Sequence, residues 1–239
     1  MPSAATTPFL HLQALRAVLD GVAAHPAAIA DPGLARSVFP TANVTTGALL
    51  WPAGHAHRVL HEWSLWTRTV PADVTSTARL VRFPRLHGVP AALRGRALVA
   101  VEVAIPGEPW VAQGRLAPLR RLAPEIDTVV LGCADDVPAA HLALELPASA
   151  SGRHIPLSTV DADVVEAFLA AAGPASGAAI ASAELRHLGT GYAASAASRA
   201  TTEEDASRLE VRLDLIAERL APWVAGRVLR TDAVRVRVR

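Results

Sequence analysis

Residues 74–83, Val-Thr-Ser-Thr-Ala-Arg-Leu-Val-Arg-Phe, and residues 96–105, Arg-Ala-Leu-Val-Ala-Val-Glu-Val-Ala-Ile, decide the fold. Both alternate with period 2, as a strand does. In the second stretch Val99, Val101, Val103 and Ile105 share one face, and Glu102 lies on the other with Leu98 and Ala100. Only a dozen residues separate the two, and Pro84, Gly88, Pro90 and Gly95 punctuate them. A parallel crossover needs about that length as a helix, so the two strands are expected to pair antiparallel.

Working outward, Val44 to Trp51 reads as a further short strand. A helix over about 53–69 follows, with Ala56, Val59, Leu60, Trp63 and Val70 along one stripe and His57, His61, Ser64 and Arg68 opposite. After the central pair come a helix near 109–122 and a strand near 126–131. Residues 132–157 are broken by Gly132, Pro138, Pro147, Gly152 and Pro156, with room for one helical turn near 137–144. Helix 160–172 has Ser158, Thr159 and Asp161 as capping candidates and Gly173-Pro174 as its stop. A strand near 178–188 runs into Gly189-Thr-Gly191. The Ala/Ser-rich run 192–202 reads as a flexible connector. Helix 202–221 carries Leu209, Leu213, Ile216 and Leu220 at helical spacing, and a possible capping box joins Thr201 to Glu204. The tail 226–239 ends in alternating Val and Arg, the pattern of an edge strand. At the other end, Thr7-Pro8 opens a helix over 7–21, and Pro- and Gly-punctuated residues to 43 form an irregular linker. The expected organisation is this N-terminal segment, 1–43, and an α+β domain, 44–239, with a mostly antiparallel sheet and helices packed on one face.

Composition bounds the function. The 239 residues are 51% apolar and 19% charged with a net charge of +1, enough for a core and too neutral for a nucleic-acid binder or a polybasic membrane-surface protein. Every basic residue is Arg and 50 residues are Ala, which reads as the bias of a GC-rich genome rather than as function. The lone Cys133 excludes a disulfide framework and Cys-rich metal sites; its plain reading is a small buried side chain. No secretory signal and no long apolar run is legible, so the cytoplasm is the expected compartment.

The chemical candidates are few. His57 and His61 stand at i, i+4 on one helical face, a geometry metals use, but no third ligand is identifiable, and the plainer reading is a solvated polar face. Gly189-x-Gly191-x-x-Ala194 follows a strand as a dinucleotide fingerprint would, yet no phosphate-binding helix follows it, so it reads as a turn. Glu184 and Arg186 share one strand face, with His187 on the other. Together with Glu102 they can line a pocket as acid, base or anion clamp, or form the solvated side of an open sheet.

Several segments, in order, resemble the substrate domain of berberine-bridge-like FAD-linked oxidases of actinobacterial type. They are Gly47-Ala-Leu-Leu-Trp51-Pro, His61-Glu-Trp-Ser-Leu-Trp66 through Pro71, the 74–83 stretch, and Leu93-Arg-Gly-Arg. Leu116-Ala-Pro-Leu-Arg120, Ile126-Asp-Thr, Glu184-Leu-Arg186-His187-Leu-Gly189 and Leu220-Ala-Pro-Trp223 continue the series. The resemblance implies a two-domain flavoenzyme in which one domain binds FAD and the other, an antiparallel sheet backed by helices, holds a small organic substrate over the flavin. Most of the FAD-binding domain is expected to be missing, since 46 residues precede Gly47 and none spells a flavin-attachment loop. The further strand that such enzymes place after Gly189 is expected to have shrunk to the 192–202 connector. No catalytic residue can be carried over. FAD is therefore implied by the resemblance alone and is not expected to be held tightly by this chain. Three readings follow. One is a flavoenzyme relative completed by a separate flavin-binding chain or inactive; the second is a flavin-free protein that binds or shapes a small organic molecule through Glu102, Glu184 and Arg186, or that serves as a non-catalytic interaction module. A metal-site enzyme at His57 and His61 is the third. The sheet face opposite the helices is expected to be under-covered and prone to self-association.

Overall fold

A computed structural model describes residues 43–83, 85, 93–132, 150–176, 180–199 and 203–231. The expected N-terminal helix 7–21, its linker and Cys133 lie outside these residues.

Nine strands form one sheet: β1 (Val44–Pro52), β2 (Thr75–Arg82), β3 (Ala97–Pro106), β4 (Ile126–Asp127), β5 (Val130–Gly132), β6 (Ala150–Leu157), β7 (Ser182–His187), β8 (Tyr192–Arg199) and β9 (Leu229–Thr231). Their order is β4-β1-β3-β2-β7-β8-β6-β9, with β5 also on β1, and all the pairings are antiparallel. The two deciding stretches pair as expected, Thr75 opposite Ala104 through Arg82 opposite Ala97.

Four α-helices lie among the described residues: α1 (Ala56–Thr67), α2 (Pro109–Arg120), α3 (Ala162–Ala172) and α4 (Glu203–Leu220). Proline at the first position starts α2, and the Asp161 carboxylate accepts the Val164 N–H to cap α3. All four lie on the same face of the sheet. Val59 and Trp63 of α1, Leu116 of α2, Phe168 of α3 and Leu213 and Ile216 of α4 share one core with Trp51, Val101, Ala78, Leu185, Ala194 and Ile155 of the strands. The helix stripes and the odd positions of the Val99–Ile105 run meet there, because each element buries its one apolar face. Among the described residues, no helix is long and apolar enough to cross a membrane.

Two expectations need correction. The Ala/Ser run is no connector: Tyr192–Arg199 is β8, an interior strand hydrogen-bonded to β7 on one side and β6 on the other. Ladder pairing uses the backbone, and small side chains suffice where neighbours on both sides supply the packing. The further strand implied after Gly189 is thus present. Residues 150–157, read as irregular because of Gly152 and Pro156, form β6. Proline is tolerated there because its nitrogen needs no ladder partner; its carbonyl accepts from Ala225 N.

Candidate functional site

Strand register builds a polar row on the sheet face away from the helices. Ala100, Arg79, Glu184, Ser195 and His154 stand opposite one another in turn across β3, β2, β7, β8 and β6. Glu102 and Arg186 belong to the next rung of the same face, both opposite Thr77. Glu102, Glu184 and Arg186 therefore share a face, as alternation requires, while Ala183 and Leu185 turn to the helices.

Arg79 ties the rungs together. Its Nη2 is ion-paired with Glu184 Oε2 at 3.0 Å and donates to Glu102 Oε2 at 3.4 Å. Its Nε lies 3.3 Å from Glu102 Oε1, an ion pair without hydrogen-bond alignment. Arg186 Nε donates to Glu184 Oε1 at 2.6 Å. Burial works against the Arg79 charge, but the fields of Glu102 and then Glu184 outweigh it, and its pKa rises. Two guanidinium groups and two carboxylates balance. At the far end His154 Nδ1 is 3.0 Å from Ser195 Oγ. Burial, then repulsion from Arg186, pushes its pKa down against the opposing field of Glu184, and the lowering favours the neutral ring.

This face is not the open surface expected. Glu102 is wholly enclosed, and Glu184 and Arg79 are 6% and 7% exposed. Leu93, Phe83, Val81, Leu98 and Leu50 form a second apolar cluster beside them. A charge taken out of water is costly unless paired, and the pairing is dense here for that reason. Arg186, with 23% of its side chain exposed, is the member that reaches solvent. One concavity is lined by Leu80, Arg82, Leu98, Gly173 and Ile180, another by Val70, Trp110, Val111 and Pro118; neither includes Glu102, Glu184 or Arg186. The row can orient a polar or anionic group through Arg186, with Glu184 fixing the guanidinium plane. Sequence reasoning missed Arg79, His154 and Ser195. Parity puts Arg79 on the same strand face as Val81 and Phe83, but only the register brings it to the acids; His154 fell in a segment read as irregular and Ser195 in one read as a connector.

His57 and His61 lie elsewhere, on the outer side of α1. The structure adds a third side chain that spacing alone did not show: Glu166 of α3 places Oε1 2.7 Å from the Nε2 atoms of both. The hydrogen bond from His61 is the largest influence and holds the Glu166 pKa below its ordinary value against the opposing effect of burial, with the charge of His57 adding to the lowering.

Gly189-Thr-Gly191 is the turn of the β7–β8 hairpin. Leu188 N donates to Gly191 O, and a strand follows where a phosphate-binding helix would have to begin. Gly189 has φ +81°, and a Cβ there would stand 2.0 Å from Ala72 O. The glycine serves a backbone crossing. Among the described residues no cradle for the FAD pyrophosphate is found, so these residues do not fit the whole cofactor.

No protein-family model matches the sequence, and no curated protein matches it. Solved structures are similar in fold. BBE-like 1 of Physcomitrella patens superposes with a TM-score of 0.56 at 11% identity, over 79% of this chain and 45% of its own. Berberine bridge enzyme from Eschscholzia californica gives 0.55 at 10% identity over 77% and 42%, and BBE-like #28 from Arabidopsis thaliana 0.52 at 12% over 77% and 44%. The chain spans less than half the length of each.

Proposed function

We propose that these residues form the substrate-side half of a berberine-bridge-like FAD-linked oxidoreductase, with the flavin-binding half contributed from outside them. The observation that carries this reading is the likeness of the nine-stranded sheet and its helices to such enzymes over 77–79% of this chain. The strand after Gly189 supports it too. In this role the sheet face bearing Glu102, Glu184 and Arg186 is the wall toward a small organic substrate, and Arg186 is the group within its reach.

A second reading rests on a specific observation, the closure of that face. A wall whose acids are sealed by Arg79 suits a self-contained, flavin-free protein that binds or shapes a small organic molecule at Arg186. The visible spectrum of the purified chain separates the two. A colourless protein that turns yellow with FAD only when a flavin-binding chain is added supports the first. Stoichiometric flavin on these residues alone overturns the division of labour, and no flavin uptake under either condition leaves the second.

A further inference from the structure

We propose that His57, His61 and Glu166 form a binding site for one divalent transition-metal ion, with zinc as the reference ligand. The site lies on the helix layer, apart from the charged row of the sheet, and does not depend on the reading of that row.

Three observations carry it. First, two imidazoles at i, i+4 project from the same side of α1, with ring centroids 4.5 Å apart. Second, the acid comes from a different helix, more than 100 residues away in sequence, and meets both rings with one oxygen. The donor atoms of all three residues lie within 4.8 Å of one another. Third, the two helices are fixed: Val59, Leu60 and Trp63 of α1 and Val164, Val165 and Phe168 of α3 belong to the same buried core. Donors on rigid elements present a site with little reorganisation.

The donor set selects the ion. Two imidazoles and a carboxylate suit zinc, cobalt, nickel or copper, whereas calcium and magnesium require oxygen ligands. The 2.7 Å spacings are those of hydrogen bonds. Around a zinc with bonds of about 2.0–2.1 Å, tetrahedral ligands stand roughly 3.3 Å apart. Entry of the ion therefore displaces the protons shared between rings and carboxylate and moves the Glu166 carboxylate outward. That motion is open to it, because its side chain is 54% exposed. Three protein ligands leave a fourth position for water, the pattern of an open zinc site.

Cobalt(II) titration of the full chain, followed by visible absorption, tests this. One equivalent should give the intense bands of a tetrahedral site, and zinc should remove them. Zinc should also raise the melting temperature, since it binds the folded arrangement. His57→Ala and Glu166→Gln should each weaken cobalt binding by roughly tenfold or more, and the double variant should lose the bands. Both positions are exposed, so the metal-free variants should match the parent in circular dichroism and melting temperature. Cobalt bands unchanged in the double variant would overturn the proposal by placing the metal at other histidines. The absence of bands in the parent at saturating cobalt would overturn it directly.

Discussion

Glu102 carries a charge in a position that water does not reach, and its partner Arg79 is shared with Glu184. Removing one member of such a set leaves an uncompensated buried charge. Glu102→Ala is expected to cost about 3–5 kcal/mol in urea unfolding. Arg186→Ala, which trims the solvent-reaching end, should cost about 1 kcal/mol or less. Equal losses at the two positions would contradict the division between an enclosed anchor and an accessible arm. A second residue-scale effect concerns pH. Burial pushes the imidazole of His187 below its ordinary value, against a smaller opposing effect from its hydrogen bond to Gly189 O. The same direction holds at His154. A folded-state pKa below the unfolded one means that the unfolded chain takes up the proton first. Stability from these rings is full above about pH 6.5 and is lost as the pH falls through that value toward the folded pKa. Melting temperature should drop between about pH 7 and pH 5, and His187→Gln should flatten the slope. Carboxylates held low by cations, such as Glu125 beside Arg96, act only at more acid pH, below about 4.5.

At the scale of elements, legibility followed side-chain contrast. β3 was plain because valine and alanine alternate in it, and α3 because Asp161 and Gly173 bracket an apolar run. β4 and β5 were read as one strand near 126–131; in the structure Ile126–Asp127 and Val130–Gly132 pair separately with β1. β8 was invisible. Its Ala and Ser residues carry almost no periodic signal, and its identity comes from β6 and β7, two strands that precede it in sequence and flank it on either side in the sheet. The candidate site divided in the same way. Glu102, Glu184 and Arg186 stood out as charges in apolar strands, while Arg79, which organises them, looked like one more solvated arginine until the register put it between two acids. Hydrogen exchange tests the correction: amides of 193–198 should exchange as slowly as those of 183–187, because both sets are interior ladder donors. Fast exchange in 193–198 would restore the connector. Gly189→Ala should destabilise by about 1–3 kcal/mol, since its φ is +81° and Ala72 O occupies the space a Cβ needs.

For the whole molecule, one sheet runs from β4 to β9 with one helix-side core, so its two halves cannot report independently. Fluorescence from the buried Trp51, Trp63 and Trp66 and far-UV circular dichroism should trace a single denaturant transition. Two separated transitions would mean that β6, β8 and α4 form an autonomous unit. The sheet also has a seam: β2 hydrogen-bonds to β7, and about 100 residues lie between Arg82 and Ser182. During synthesis at about 5–20 residues per second, β2 waits roughly 5–20 s for its partner to leave the ribosome. For that interval it is a bare edge able to recruit another nascent chain. Arg79 and Arg82 stand on the waiting strand. In the finished fold Arg79 is a buried counterion; on the unfinished one it is a charge that repels a second copy of the same edge. The time for which this edge stands bare is thus written into the sequence distance between two neighbouring strands.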